Sequence, residues 1–293
     1  MKKLLIVLML LPFAGFAQEE ESVDLNVDTL LNYPNNFYDT VDYWIAFPIN
    51  EEEFSYAVGY HFLDPDDGFI FYYTGSYQIN DDGSVSPFQD KDLEPGSFYS
   101  LEKETSDVVV LDQKWLDRME LPRIPAEVQE FEYDRESIEY LKDIGWQYNH
   151  VDACENALVP LLKAYEMDPH YEGLEFELAF AYNHLGRYEE AIVVLDKAVA
   201  NNPEDFWFYR ELGFAYRNTG DIEKAEKIYL KGISMSDSDF QKSEMAVNMC
   251  LAYWDLKNRE KYDEWAVICR KYGDPEGDYV AYLNEIEANW DED

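Results

Sequence analysis

Cysteine, positive charge and long apolar runs are all scarce in this 293-residue sequence. Three cysteines exclude a disulfide scaffold, which needs them densely and in pairs. Lys and Arg number 23 against 62 Asp and Glu, a formal net charge of −39. A field of that sign repels nucleic acid and anionic lipid headgroups, and it keeps a chain soluble. Outside the N-terminus no stretch approaches the ~20 apolar residues of a transmembrane helix. The common catalytic signatures are missing too: no G-x-S-x-G elbow, no G-x-x-x-x-G-K loop, no H-E-x-x-H and no C-x-x-C. Acid pairs occur throughout, so no general acid/base pair stands out from them. The expectation is a non-enzymatic protein without cofactor or metal.

What is present begins with an export pattern. Lys2 and Lys3 precede an apolar run from Leu4 to Leu11, Pro12 breaks it, and Gly15-Phe16-Ala17 offers a small-residue exit. Residues 1–17 therefore read as a signal peptide cut ahead of Gln18, and the mature chain as periplasmic or secreted. No cysteine precedes Cys154, so no lipid-anchored N-terminus is expected. Aromatics make up 16% of residues, enough to build a core despite the charge.

After an N-terminal segment, residues 18–36, comes a stretch with strand periodicity. Phe54, Tyr56, Val58, Tyr60 and Phe62 alternate with smaller residues. Asp64-Pro65-Asp66-Asp67-Gly68 is turn chemistry, Phe69–Ile79 is a second β-rich run, and Asn80-Asp81-Asp82-Gly83 punctuates again. Val108–Leu111 makes another strand, and Tyr43–Ile49 pairs with these, Pro48 marking an edge. Residues 37–121 are thus predicted to form a small antiparallel sheet of three to five strands ending in a short helix, Gln113–Met119. Pro122 and Pro125 mark residues 122–133 as a linker.

The second half repeats itself. A shift of thirty-four residues superposes Gly145, Ala179 and Gly213; Tyr148, Tyr182 and Tyr216; Ala157, Ala191 and Ala225. It also superposes Leu161, Leu195 and Tyr229; Ala164, Ala198 and Gly232; Pro169, Pro203 and Asp237. Small residues recur where paired helices must touch, large apolar ones where pairs stack, and proline where the second helix stops. The clearest unit runs from Glu172 to Pro203 and turns at Leu185-Gly186-Arg187; the next turns at Thr219-Gly220-Asp221. In the first, Ile138–Tyr171, Val151-Asp152 replaces the turn glycine. A fourth, with about three extra residues, pairs the Met249–Tyr253 segment with Tyr262–Tyr272.

This pattern resembles the tetratricopeptide repeat. The resemblance implies helical repeats over residues 134–275. Residues 276–293 follow as a capping helix and acidic tail, with Tyr279, Leu283, Ile286 and Trp290 on one helical face. The expected fold class is α+β, a small antiparallel β-rich domain followed by an all-α superhelix. In residues 37–121 no family pattern is recognised.

The resemblance also implies a binding groove on the first helices of the pairs. It would be lined by Trp146, Asn149 and His150; by Phe176, Phe180, Asn183 and His184; by Trp207, Arg210, Phe214, Arg217 and Asn218; and by Trp254, with Val247 and Leu251 beside it. Aromatic, amide and arginine side chains supply apolar area, backbone partners and carboxylate capture, so the expected partner is another protein or peptide. The Lys/Asn pattern of the carboxylate-clamp subfamily is not reproduced. A competing account pairs the arginines with the chain's own acids, Glu175 or Glu177.

Other features carry less. The two aspartate turns lack the ligand spacing of an EF-hand and read as hairpins. His150 and His184 lie one repeat apart, too far to share a metal. Cys250 and Cys269 are expected on facing helices, as buried free thiols, although an oxidising compartment permits a bridge. An alternative function is carbohydrate or cell-wall binding through the β-rich domain, and exposure of Tyr60, Tyr72, Tyr73 and Tyr77 decides it. A hydrolase of unrecognised type is a third.

Overall fold

The computed structural model describes residues 2–3, 34–50, 54–80, 82–105 and 108–290, in two compact units, 1–156 and 157–293. The predicted signal peptide, apart from Lys2–Lys3, lies outside the described residues, as do residues 18–33, Asp81 and the last three residues.

In the first unit six strands form an antiparallel sheet: β1 (Tyr43–Asn50), β2 (Ser55–Asp64), β3 (Gly68–Ile79), β4 (Val85–Phe88), β5 (Ser97–Leu101) and β6 (Val108–Val110). The order is β5-β3-β2-β1-β6, with β4 on the far end of β3. Pro34–Asn35 extends the edge beside β6, and Lys2–Lys3 lies parallel to β5. The six strands exceed the three to five expected. Pro87 and a mostly exposed surface hid β4, and serines at both faces hid β5. Asp64 shapes the β2–β3 hairpin by accepting the Asp66 and Asp67 amides at 2.8 Å, and Gly68 takes φ +81°.

Every residue of β2 is buried, because the sheet is covered on both faces. Phe37, Phe47, Phe69, Phe71 and Tyr73 face one way, against Ile144, Val151 and Ala153. Trp44, Tyr56, Tyr60, Phe62 and Tyr72 face the other, against Trp115, Met119 and Val128. Trp115 belongs to the helix α1 (Gln113–Arg118), which Asp112 caps by accepting the Trp115 amide. Residues 122–133 also lie on the sheet. The Trp44 indole donates to the Pro122 carbonyl (2.9 Å), Phe131 packs 5.0 Å from Phe62, and the Tyr133 hydroxyl donates to Asp64 Oδ2 (2.5 Å). Within the same unit α2 (Ile138–His150) is fastened to the hairpin: Gln147 Nε2 donates to the Pro65 carbonyl (2.9 Å), and Tyr148 meets Phe69 edge-on at 5.3 Å.

The second unit holds the rest of α3 (Cys154–Met167), then α4 (Leu174–His184), α5 (Tyr188–Asn201), α6 (Phe206–Asn218), α7 (Ile222–Met235), α8 (Asp239–Asp255), α9 (Arg259–Tyr272) and α10 (Asp278–Ala288). Side chains of Asp205, Asp221, Ser238 and Asn258 accept amides in the first turns of α6 to α9. The turn inside each helix pair contains one left-handed residue: Asp152 (φ +60°), Gly186 (+71°), Gly220 (+84°) and Lys257 (+52°). The first three are thirty-four apart; Lys257 comes three residues late, where the extra residues were expected. The small column is packed to contact, with Ala191, Ala198 and Ala225 wholly buried. At the C-terminal end Leu283 and Ile286 of α10 join the α8–α9 core, and Trp290 packs 4.8 Å from Tyr262. Among the described residues, no helix is long and apolar enough to cross a membrane.

Candidate functional site

In the second unit the first helices of the pairs, α4, α6 and α8, carry most of the nominated residues. Successive i,i+4 spacing puts Phe176, Phe180 and His184 on one side of α4. Their rings form a chain, Phe176–Phe180 at 6.3 Å and Phe180–His184 at 4.7 Å. Trp207 of the next repeat meets Phe176 edge-on at 5.6 Å and remains 37% exposed. The Arg210 guanidinium lies over the Trp207 ring at 5.2 Å. These five side chains are thus brought together across two repeats.

The arginines are already answered. Arg210 Nε lies 3.2 Å from Glu244 and 3.6 Å from Glu211, and Arg217 lies 3.7 Å from Asp255. The competing account holds in substance, but the acids come from α8, and from Arg210's own neighbour Glu211, rather than from Glu175 or Glu177. Glu175 instead pairs with His170 at 3.2 Å. Asn183 is buried and gives its amide to Glu211, 2.9 Å to the carboxylate and 3.1 Å to the carbonyl, so it does not line an open groove. Burial raises the Glu211 carboxyl above its ordinary value, opposed by Arg210 and Asn183. Burial raises Glu244 too, against the pull of Arg210.

The remaining nominees scatter. Phe214 packs into the α8–α9 core and beside Tyr188 (6.2 Å), Asn218 donates to the Phe214 carbonyl (2.8 Å), and Trp254 lies under the Lys257 ammonium (5.2 Å). In the first unit Trp146 is 43% exposed and stacks on His150 (5.3 Å), while Asn149 is buried. Among the described residues no group of His, Cys, Asp and Glu could hold a metal ion. Cys154, Cys250 and Cys269 are unbridged and buried. The carbohydrate alternative is corrected here: Tyr60, Tyr72 and Tyr73 are buried between sheet and cover, and Tyr77 is half-buried, so the β-rich unit offers sugars no platform from these rings.

Family models agree with the repeat register. One described as TPR repeat matches residues 179–220, and one described as Tetratricopeptide repeat matches residues 209–239. Residues 179–239 are tetratricopeptide repeats. No curated protein matches the chain. About half of the chain is similar to several solved structures. One is a thermophilic TPR protein of Thermus thermophilus, 17% identical over 53% of this chain and 84% of that one, at a TM-score of 0.45. A MamA structure is 24% identical over 47% and 80%, at 0.43. MamA from Desulfovibrio magneticus is 17% identical over 54% and 80%, at 0.41.

Proposed function

We propose that the protein is an exported, non-enzymatic scaffold that binds another polypeptide along the first-helix face of its repeats. The observation that carries this reading is the run Phe176, Phe180 and Trp207: rings in mutual contact, spread over two repeats and partly open to solvent. Rigid aromatic rings give large contact area at small entropic cost and dominate protein interfaces. The signal-like N-terminus supports export, and the absence of catalytic signatures from the sequence supports a binding role.

A photo-cross-linking residue placed at Trp207 tests the binding role. In the exported protein it is expected to trap a polypeptide of discrete mass that the same residue at Val267, on the outer side of α9, does not trap. Equal labelling from both positions, in a protein of native stability, overturns it. N-terminal sequencing of the exported chain tests export: Gln18 is the expected first residue, and Met1 ends that part.

A further inference from the structure

Phe240, at the start of α8, is 61% exposed, the most open aromatic ring among the described residues. Tyr279 of α10 lies 5.3 Å from it at 37°, so the two rings make one continuous wall. Tyr272 and the aspartates Asp274 and Asp278 line a cleft of about 430 Å³ with them. Aromatic faces carry negative quadrupole density, so rings and carboxylates in one cleft favour the same ligand, a cation. The chain's own lysines show that attraction: Lys242 and Lys271 hold their ammoniums 4.8 Å and 4.6 Å from the Tyr272 centroid. Tyr272 is therefore occupied, and Phe240 and Tyr279 are left to an incoming group. The chain's net charge of −39 favours a cation; of the local cations, Lys242 is answered by Asp239 (3.2 Å), Arg210 by Glu244 (3.2 Å), and Lys271 donates to the Tyr272 hydroxyl (2.9 Å). Burial, then Glu244, pushes the Tyr279 hydroxyl up to about 12, so the phenol stays neutral at physiological pH.

We infer that this cleft receives an arginine or lysine side chain of a bound polypeptide, its cationic head against the Phe240–Tyr279 wall and the Asp278 carboxylate. The inference rests on the reading of the protein as a polypeptide binder and adds the charge of the partner, which the paired arginines would otherwise suggest is acidic.

A single 4-fluorophenylalanine at position 240 reports on the cleft by its ¹⁹F resonance in the full chain. Acetyl-Gly-Arg-Gly-amide, titrated at fixed ionic strength, is expected to shift that resonance saturably. The peptide with citrulline, the neutral isostere of arginine, is expected to leave it in place. Asp278→Asn should weaken the arginine response by roughly fivefold, and Glu189→Gln, on α5, should not change it. Equal responses to arginine and citrulline, or an unchanged response in Asp278→Asn, overturn the proposal. So does an equal loss in Glu189→Gln, which would mean only the diffuse field of the chain, or an equal affinity for guanidinium alone, which would mean a small-cation site. Trp207 takes no part in this readout, so a failed cross-link at Trp207 and a failed titration here are separate results.

Discussion

The Tyr229 ring occupies the space a Cβ on Gly213 would need: its atoms lie 2.6 Å from that position. One repeat earlier the same two positions hold Ala179 and Leu195, both wholly buried. The third repeat has moved volume from one helix to its partner while keeping the sum. Gly213→Ala is therefore expected to cost about 1–3 kcal/mol by overpacking, and Tyr229→Leu a comparable amount by leaving a cavity. The double variant restores the pair of the preceding repeat and should cost clearly less than the two single costs added. Urea midpoints of the four proteins decide it; strict additivity would mean the two residues do not share one space.

His61 sets an acid limit on the sheet. Its ring is buried, and since Thr40 Oγ donates to the Phe37 carbonyl (2.7 Å), His61 Nδ1 is the donor to the Thr40 carbonyl (3.0 Å). Nε2 is buried without a partner. Burial lowers the ring's pKa from 6.5 to about 4. The unfolded chain then binds a proton that the folded one refuses. The stabilisation is whole above pH 6.5 and is lost as pH falls toward 4, by on the order of 3 kcal/mol. His61→Phe should flatten this limb of a stability-versus-pH curve; an unaltered slope would assign it to other groups.

Glu211 acts with the opposite sign. Its pKa is raised from 4.5, so the folded chain holds the proton more tightly than the unfolded one. Stability from this group is greatest below about pH 4.5 and declines as pH rises through the folded value. Glu211→Gln keeps an acceptor for Asn183 and should lessen the decline. Denaturation curves at pH 4.5 and 7 measure it, and a steeper decline in the variant would show that the carboxylate is stabilised by Arg210 after all.

The thiols give a chemical count. Burial pushes the Cys269 thiol up to about 11 and the Cys250 thiol higher still, so little thiolate is present at neutral pH. Native protein should react slowly with a thiol reagent, and unfolded, unreduced protein should titrate three thiols. One thiol would place a bridge between Cys250 and Cys269.

A fifth expectation concerns where the sheet ends. Because Ile144, Val151 and Ala153 complete one face of the core, a chain stopped after residue 156 should unfold cooperatively, and one stopped after residue 133 should lose most of that stability. Equal stability of the two would show that the cover from α2 is dispensable.

The repeats were legible in the sequence because a close contact forces a small residue at a fixed interval, and Ala191, Ala225 and Gly213 are such contacts. The sheet was half legible. Alternation in β2 marked the strand, but nothing in it showed that both faces are covered, so that Ala57 and His61 are as buried as Tyr56 and Tyr60. Pro122 and Pro125 looked like a linker because proline breaks helices; nothing in a proline shows that its carbonyl will accept from Trp44. In the candidate site the aromatic residues were nominated by the resemblance to the repeat family. The partner of Arg210 was sought one repeat back, whereas Glu244 stands in the same column one repeat on, and only packing distinguishes the two directions.

That column runs Phe176, Arg210, Glu244, at thirty-four-residue steps on successive first helices. The backbone beneath is repetitive, but an apolar ring, a cation and an anion follow in a fixed sequence. A ladder with identical rungs can be climbed from either end and entered at any rung. This one has a top, a bottom and a numbered middle, so a polypeptide bound along it as proposed would meet different chemistry at each rung, in a single orientation and a single phase.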